Sequence, residues 1–294
     1  MIVVTTPTGN IGSQVLKDLL SKNEPIRVIV RDPDRLAPEV RTRVEVVVGS
    51  HGDSAVVTKA FEHADSVFWV VPPDPRAASV EAAYVDFARP AVKALRERGV
   101  KRVVGVSALG RGTPWATHAG LATASFAMDD LIATSGVSYR ALTMPSFMDN
   151  LLRQIEPITK SGVFSLPIDG NRKLPSAASS DIARVAARLL LDHVWAGVAS
   201  VPVLGPEDLS YNDMAKILSE VLGRPVRFEQ ISTDAFKARL MGRGMSEAMA
   251  QGNVDMWIAK NSGIDNAVKR TPESSTPTTF RDWASQVFTA RVTP

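Results

Sequence analysis

The sequence predicts an α/β protein built on a doubly wound parallel sheet, with a smaller α+β lobe towards its C-terminal end. Two observations carry this. Six strand-length apolar runs, at residues 2–5, 26–30, 44–48, 66–71, 102–106 and 139–143, alternate with helical patterns, the order that builds a parallel sheet with helices on its faces. Several runs are apolar throughout, as in Val67-Phe68-Trp69-Val70-Val71, which fits strands covered on both sides.

Taken in order, the strand at 2–5 leads through the turn Thr6-Pro7-Thr8-Gly9-Asn10-Ile11-Gly12 into a helix over 11–22, whose Ile11, Val15, Leu16, Leu19 and Leu20 share one face. Helices over 77–98 and 125–134 are followed by Gly99 and Gly136, where a left-handed residue closes a helix at low cost. After Met144-Pro145 the alternation weakens to a strand at 162–168, a helix at 181–191 capped by Asp181, and a strand at 201–204. Ser210 is placed to cap a helix at 211–222 that Gly223 closes, with a strand at 226–231 beyond it. Residues 1–150 thus read as the main domain, its sheet completed by segments around 162–204, and residues 151–294 as a smaller region.

Composition narrows the class. With 45% hydrophobic residues in 294, the chain can bury a large core. Its 34 basic and 31 acidic residues are interspersed, so the net charge of +3 gives no nucleic-acid footprint. The absence of cysteine excludes disulfide and thiolate chemistry, and His51 and His63 lack companions for a metal site. No signal-peptide pattern and no apolar run near the ~20 residues of a membrane span is present. The expectation is a cytoplasmic protein with a small-molecule partner, no nucleic acid and no membrane; a homo-oligomer is left open.

The turn at 6–12 points to a ligand. Backbone N–H groups and a helix N-terminus there bind pyrophosphate, and small residues let the phosphate approach. Gly9 is expected against the pyrophosphate and Gly12 where the helix packs on the first strand; Thr6, Thr8, Asn10 and Ile11 complete the cradle. Dinucleotide turns carry a third glycine, which would fall at position 6. Thr6 is expected to take its place with negative φ, stiffened by Pro7. At the end of the second strand, where an acidic residue receives the ribose of NAD, stands Arg31, with Arg35 one turn on. Cations there suit the 2′-phosphate, so the predicted cofactor is NADP(H).

These motifs, with Val30-Arg31-Asp32-Pro33, Val104-Gly105-Val106-Ser107, Ser135-Gly136-Val137-Ser138-Tyr139, Pro145-Ser146-Phe147-Met148-Asp149-Asn150, Asp181-Ile182-Ala183 and Leu222-Gly223-Arg224-Pro225, resemble in order and spacing the NmrA-like family of atypical short-chain dehydrogenases. That family includes NADPH-dependent quinone reductases and redox-sensing regulators. The resemblance implies a Rossmann domain with a C-terminal substrate or lid lobe. It also implies a nicotinamide over the ends of strands four to six, lined by Val71, Pro72 and Pro73, by Ser107 and Ala108, and by Met144, Pro145, Ser146 and Phe147.

The chain departs from the wider group in its catalytic residues. The proton-donating Tyr-x-x-x-Lys is replaced by Leu121-Ala122-Thr123-Ala124-Ser125, the Lys that many relatives keep near Ser125 is absent, and an acidic position remains as Asp129 or Asp130. Hydride addition to a quinone or other conjugated acceptor needs less help, because the resulting anion is delocalised and orientation does most of the work. Candidate proton donors are Ser107 and His118, with Thr117 and Ser146 behind them, and His118 is the most reactive because imidazole titrates near neutrality. Trp115, Phe147 and Met148 are expected to wall a flat substrate, and Met241, Met245, Met249 and Met256 with Trp257 to supply an adaptable lid. The preferred reading is an NADPH-dependent reductase. The alternatives are an NADP(H)-sensing regulator with a protein partner and a Rossmann scaffold used for non-redox biosynthetic chemistry.

Overall fold

Every residue of the strands Ile2–Thr5, Ile26–Val30 and Ser66–Trp69 is buried, as a sheet covered on both faces requires. The computed structural model describes residues 1–292. In chain order the first part comprises β1 (Ile2–Thr5), α1 (Gly12–Leu20), β2 (Ile26–Val30), α2 (Pro38–Arg41), β3 (Glu45–Val48), α3 (Ser54–Ala60), β4 (Ser66–Trp69), α4 (Phe87–Glu97), β5 (Arg102–Ala108), α5 (Leu121–Ala133) and β6 (Ser138–Met144). There follow β7 (Ser146–Phe147), α6 (Ile155–Ser161), β8 (Val163–Leu166), β9 (Leu174–Ala177), α7 (Ser179–Leu191), β10 (Val198–Pro202), β11 (Asp208–Leu209), α8 (Tyr211–Leu222), β12 (Arg227–Gln230), α9 (Thr233–Gly242), α10 (Glu247–Asn261), α11 (Phe280–Trp283) and α12 (Thr289–Val292).

Seven strands form one Rossmann-type parallel sheet in the order β3-β2-β1-β4-β5-β6-β10. Because side chains alternate along a strand, the sheet feeds two cores. Val4, Phe68, Val104 and Leu142 pack with Val15 and Leu19 of α1 and Ile182 and Ala186 of α7. Val3, Val67, Trp69 and Val103 pack on the opposite face with Ala88 and Leu95 of α4 and Met128 of α5. Strand addition runs outward from β1 to β3 and then restarts on the other side of β1 at β4. The crevice outside the carboxyl ends of β1 and β4 is therefore the switch point where such sheets take ligands.

The later segments contribute unequally. β10 joins the sheet beside β6, three residues earlier than its apolar run begins. The strand expected at 162–168 is shorter and lies outside the sheet: β8 pairs with β12. A third core, with Phe164, Tyr211, Trp257, Phe280 and Phe288, holds this lobe together. The capping reading holds at α8, where Ser210 and Asp213 bond reciprocally. At α7 it does not. Ala178 is the N-cap, while Asp181 lies buried in the first turn, accepting from Arg184 at 2.7 Å and from the Thr278 N–H at 3.0 Å. Asp181 thus fastens a distant loop to the sheet's helix layer.

Two helices also differ from their expected bounds. The one expected from 77 begins at residue 80 and passes through a π-helical segment, Ala82–Asp86, before α4; Asp86 is the residue whose carbonyl the ring of Pro90 would otherwise meet. α5 starts four residues before the expected 125, directly after Gly120, whose backbone packs on that of Gly252 in α10 too closely for any Cβ between them.

Candidate active site

At the carboxyl end of β1 the chain turns sharply into α1. The Thr6 carbonyl accepts from Gly9 N–H at 2.9 Å, and a Cβ on Gly12 would overlap Thr6 O and stand 2.9 Å from its carbonyl carbon. Only glycine lets α1 approach the strand this closely. Thr6 does not keep the expected negative φ: it adopts +50°. This is the conformation that a glycine would take freely, and it costs a β-branched residue roughly 1–2 kcal/mol. The turn demands it, because both contacts use the Thr6 carbonyl. The three atoms nearest to a Cβ on Gly9 would all belong to Thr6, the first its O at 3.3 Å.

Among the described residues, the N–H groups of Asn10, Ile11 and Gly12 find no acceptor, and no side chain caps α1. Three free donors at a helix N-terminus form an anion site. Thr5, fully buried, braces it: Oγ1 donates to Phe68 O at 2.9 Å and accepts from Val70 N–H at 3.0 Å.

Beyond β2, Arg31 and Arg35 are exposed and have no ion-pair partner among the described residues. The neighbouring acids are engaged elsewhere: Asp32 caps Asp34 N–H at 3.1 Å, and Asp34 pairs with Arg41 at 2.8 Å. His51 lies buried between this corner and β4, its Nε2–H donating to Val70 O at 2.9 Å and its ring set edge-on to Trp69 and Phe87. Burial pushes its pKa down to about 4 despite that hydrogen bond, and the charge of Arg31 acts in the same direction. The imidazole is thus neutral near pH 7, which avoids a buried charge next to the like charge of Arg31.

At the ends of β4 to β6 the side chains of Val71 and Met144 belong to the cores, 8% and 2% exposed, so only their backbone can border a ligand. Pro145 is buried, Pro72 exposed and Phe147 half-buried. Trp115, Phe147 and Met148 do not form one wall: Met148 lies in the lobe core, Phe147 packs against the sheet core and Trp115 is exposed. Of the expected lid, Met249 is buried, and Met256 and Trp257 pack in the lobe core. Met241 alone is largely exposed, Met245 being half-buried. The spacing of four marks no single helix face, because Met241 lies on α9, Met249 and Met256 on α10, and Met245 between the two helices.

Ser107 and His118 have different surroundings. His118 is exposed on an open cleft of about 620 Å³ bordered by Val80, Glu81, Thr123 and Asp255, and its Nδ1 bonds Thr117 Oγ1 at 2.8 Å. Ser107, at the carboxyl end of β5, is buried and donates to Asp129 Oδ2, with Ser125 Oγ 3.5 Å away. Tyr139 donates to Asp129 Oδ1 at 2.6 Å. Of the two adjacent acids, Asp129 is thus the inward one, while Asp130 binds Arg111 outside at 2.9 Å. Burial above all pushes Asp129 up to about 6, against the Ser107 and Tyr139 hydrogen bonds and the charge of Arg111. The sequence pointed to this pair of acids and to Ser107, whereas Tyr139 entered only as the end of the motif Ser135–Tyr139, with no role assigned to its hydroxyl.

Among the described residues no group of His, Asp or Glu is placed to hold a metal ion, and no helix is long and apolar enough to cross a membrane. Residues 7–193 match the family described as NAD(P)H-binding. The chain is 31% identical to a (4-alkanoyl-5-oxo-2,5-dihydrofuran-3-yl)methyl phosphate reductase of Streptomyces griseus, over 97% of both chains. To an NAD(P)H azoreductase of Xenophilus azovorans it is 30% identical, over 87% of this chain and 86% of that one. Its fold is similar to that of an NADPH-dependent quinone oxidoreductase of Escherichia coli solved with NADPH, with a TM-score of 0.76 and 24% identity over 98% of this chain and 100% of the other.

Proposed function

Because the chain belongs to the NAD(P)H-binding family, and its relatives named above are reductases, we propose that it transfers hydride from NADPH to a quinone or another conjugated small molecule. The observation that carries this reading is the set of N–H groups of Asn10, Ile11 and Gly12 at the switch point, which have no acceptor among the described residues, with Arg31 exposed and without an ion-pair partner among them at the adjoining strand end. Thr6, Thr8, Gly9, Asn10, Ile11 and Gly12 hold the pyrophosphate, and Arg31 with Arg35 selects the 2′-phosphate over a bare ribose. Residues 1–150 carry the cofactor, on a sheet that β10 completes, and the lobe from 151 to 294 covers the acceptor.

NADPH supplies the hydride, and the protein supplies position. Val71, Pro72, Met144, Pro145 and Phe147 border the nicotinamide end, and Ser107 and His118 are the protic groups offered to the acceptor. The reaction proceeds without a Tyr-x-x-x-Lys pair, since the corresponding positions are Leu121 and Ser125. A conjugated acceptor tolerates this, because hydride addition leaves a delocalised anion that a weak donor can protonate. The acceptors named for the similar proteins, a quinone, an azo compound and an oxo-dihydrofuran, support the choice of class.

The test is to mix the protein with NADPH and a panel of quinones, enones and azo compounds while following the loss of reduced-cofactor absorbance. Turnover with at least one conjugated acceptor is expected. Tight NADPH binding without oxidation by any of them would overturn the reading.

A further inference from the structure

Asp129 has both carboxylate oxygens committed to hydroxyl donors, Tyr139 on one and Ser107 on the other, and is only 5% exposed. Among the described residues the one cation near it, Arg111, lies 3.6 Å away and is held outward by two bonds to Asp130. A serine hydroxyl has a single proton. While Asp129 is ionised, that proton is pinned to Asp129 and Ser107 offers other groups only lone pairs. Once Asp129 is protonated, its own O–H can donate to Ser107 Oγ, and the serine proton is free to turn towards the carboxyl edge of the sheet.

Resting on the reading of this edge as the acceptor site, we propose that Asp129 is the proton reservoir of the reduction and acts through Ser107. For each hydride the acceptor receives, one proton follows. The Ser107 O–H bond breaks as its proton passes to the anion on the acceptor, the Asp129 O–H bond breaks as its proton replaces the one lost by Ser107, and water reprotonates the Asp129 carboxylate. Ser107 is then the catalytic residue and Asp129 the positioning residue behind it.

The surroundings suit a group that changes charge. Facing Asp129 are Ser107 from β5, Tyr139 from β6, Arg111 from the following loop and Asp130 from its own helix, the last opposing ionisation. Tyr84, on the π-helical segment packed along α5, stays neutral, its phenol pushed up to about 12 by burial. Arg96 of α4 is engaged by Thr134 O at 2.9 Å, and on α10 Asp255 accepts from Gln251 while Lys260 pairs with Asp265. Tyr139, pushed well above its ordinary range by burial and by Asp129 itself, remains a donor throughout.

The experiment compares kcat against pH for the wild type, Asp129→Asn and Tyr139→Phe, with NADPH and an acceptor from the panel. In the wild type kcat should fall as pH rises through about 6. Asn has no proton to release, so Asp129→Asn should lower kcat by ~10²-fold and lose that inflection while keeping NADPH affinity. Tyr139→Phe removes a hydrogen bond that favours the carboxylate, so the inflection should move to higher pH. An activity-independent readout is the carboxylic-acid C=O stretch in wild-type minus Asp129→Asn infrared spectra, which should titrate over the same range. Asp129→Asn with a wild-type profile, or an unmoved inflection in Tyr139→Phe, overturns the relay. A titrating band beside a pH-independent kcat overturns the relay alone, whereas no turnover with any acceptor overturns the reductase reading with it.

Discussion

The phenol of Tyr139 occupies the space that a side chain at position 105 would need: a Cβ on Gly105 would overlap Tyr139 Oη and stand 2.8 Å from two of its ring carbons. A glycine inside a strand gives up packing and entropy, and here that loss makes room for the hydroxyl that holds Asp129. Gly105→Ala is expected to cost about 1–3 kcal/mol in urea unfolding. Tyr139→Phe removes the nearest clashing atom, so the double variant should lose less than the sum of the two single ones. Strict additivity would show that the two sites do not share this space.

Asp129 should leave its mark on stability as well. Its folded pKa of about 6 lies above the ordinary 3.8, so the folded state keeps a proton that the unfolded chain has already released. Its contribution is therefore complete below about pH 4 and is lost as pH rises through about 6, a change of order 2–3 kcal/mol. Subtracting the Asp129→Asn stability curve from that of the wild type isolates this slope from the other acids. Parallel curves between pH 4 and 7 would rule it out.

Thr6 holds a left-handed backbone without being glycine. Thr6→Gly should release roughly 1–2 kcal/mol of strain and return part of it as unfolded-chain entropy, for a net gain of about 0.5–1 kcal/mol with cofactor binding retained. Gly12→Ala should do the opposite, because its new Cβ falls on the Thr6 carbonyl. Thermal unfolding and cofactor titration of both variants check this; a destabilised Thr6→Gly would mean that the threonine side chain contributes more than its strain.

Arg31 stands exposed and without an ion-pair partner among the described residues. NADPH is expected to bind about tenfold more tightly than NADH, the ~1.4 kcal/mol of one charge-assisted phosphate contact. Arg31→Ala should erase that difference without weakening NADH. Calorimetry giving equal affinities in the wild type would remove the claim.

His118 and Ser107 separate as donors by their surroundings. Ser107 is buried against Asp129, whereas His118 is exposed on the cleft with its Nδ1 bonded to Thr117 Oγ1. Ser107→Ala should lower kcat by ~10²-fold, and His118→Ala by less than about tenfold. A larger loss in His118→Ala than in Ser107→Ala would transfer the donor role to the cleft.

The apolar runs, the glycines after residues 98 and 135 and the Ser210 cap were legible in the sequence because each is written over a few residues: an apolar run of strand length, a left-handed closing residue and a capping hydroxyl are local signals. The turn at residues 6–12 was legible for the same reason, down to the closeness that Gly12 permits. The tertiary structure alone decided the rest. Asp129 and Asp130 are equivalent as text. They point about 100° apart on α5, and only β5 and β6 beneath it determine that the first meets Ser107 and Tyr139 while the second meets Arg111 and solvent. The φ of Thr6 was set against its own preference by α1 packing on its carbonyl, and Asp181 was drawn from a capping role by a loop almost a hundred residues away. Local propensities are worth tenths of a kcal/mol to about one, and burial and close packing across the sheet outweigh them wherever the two conflict.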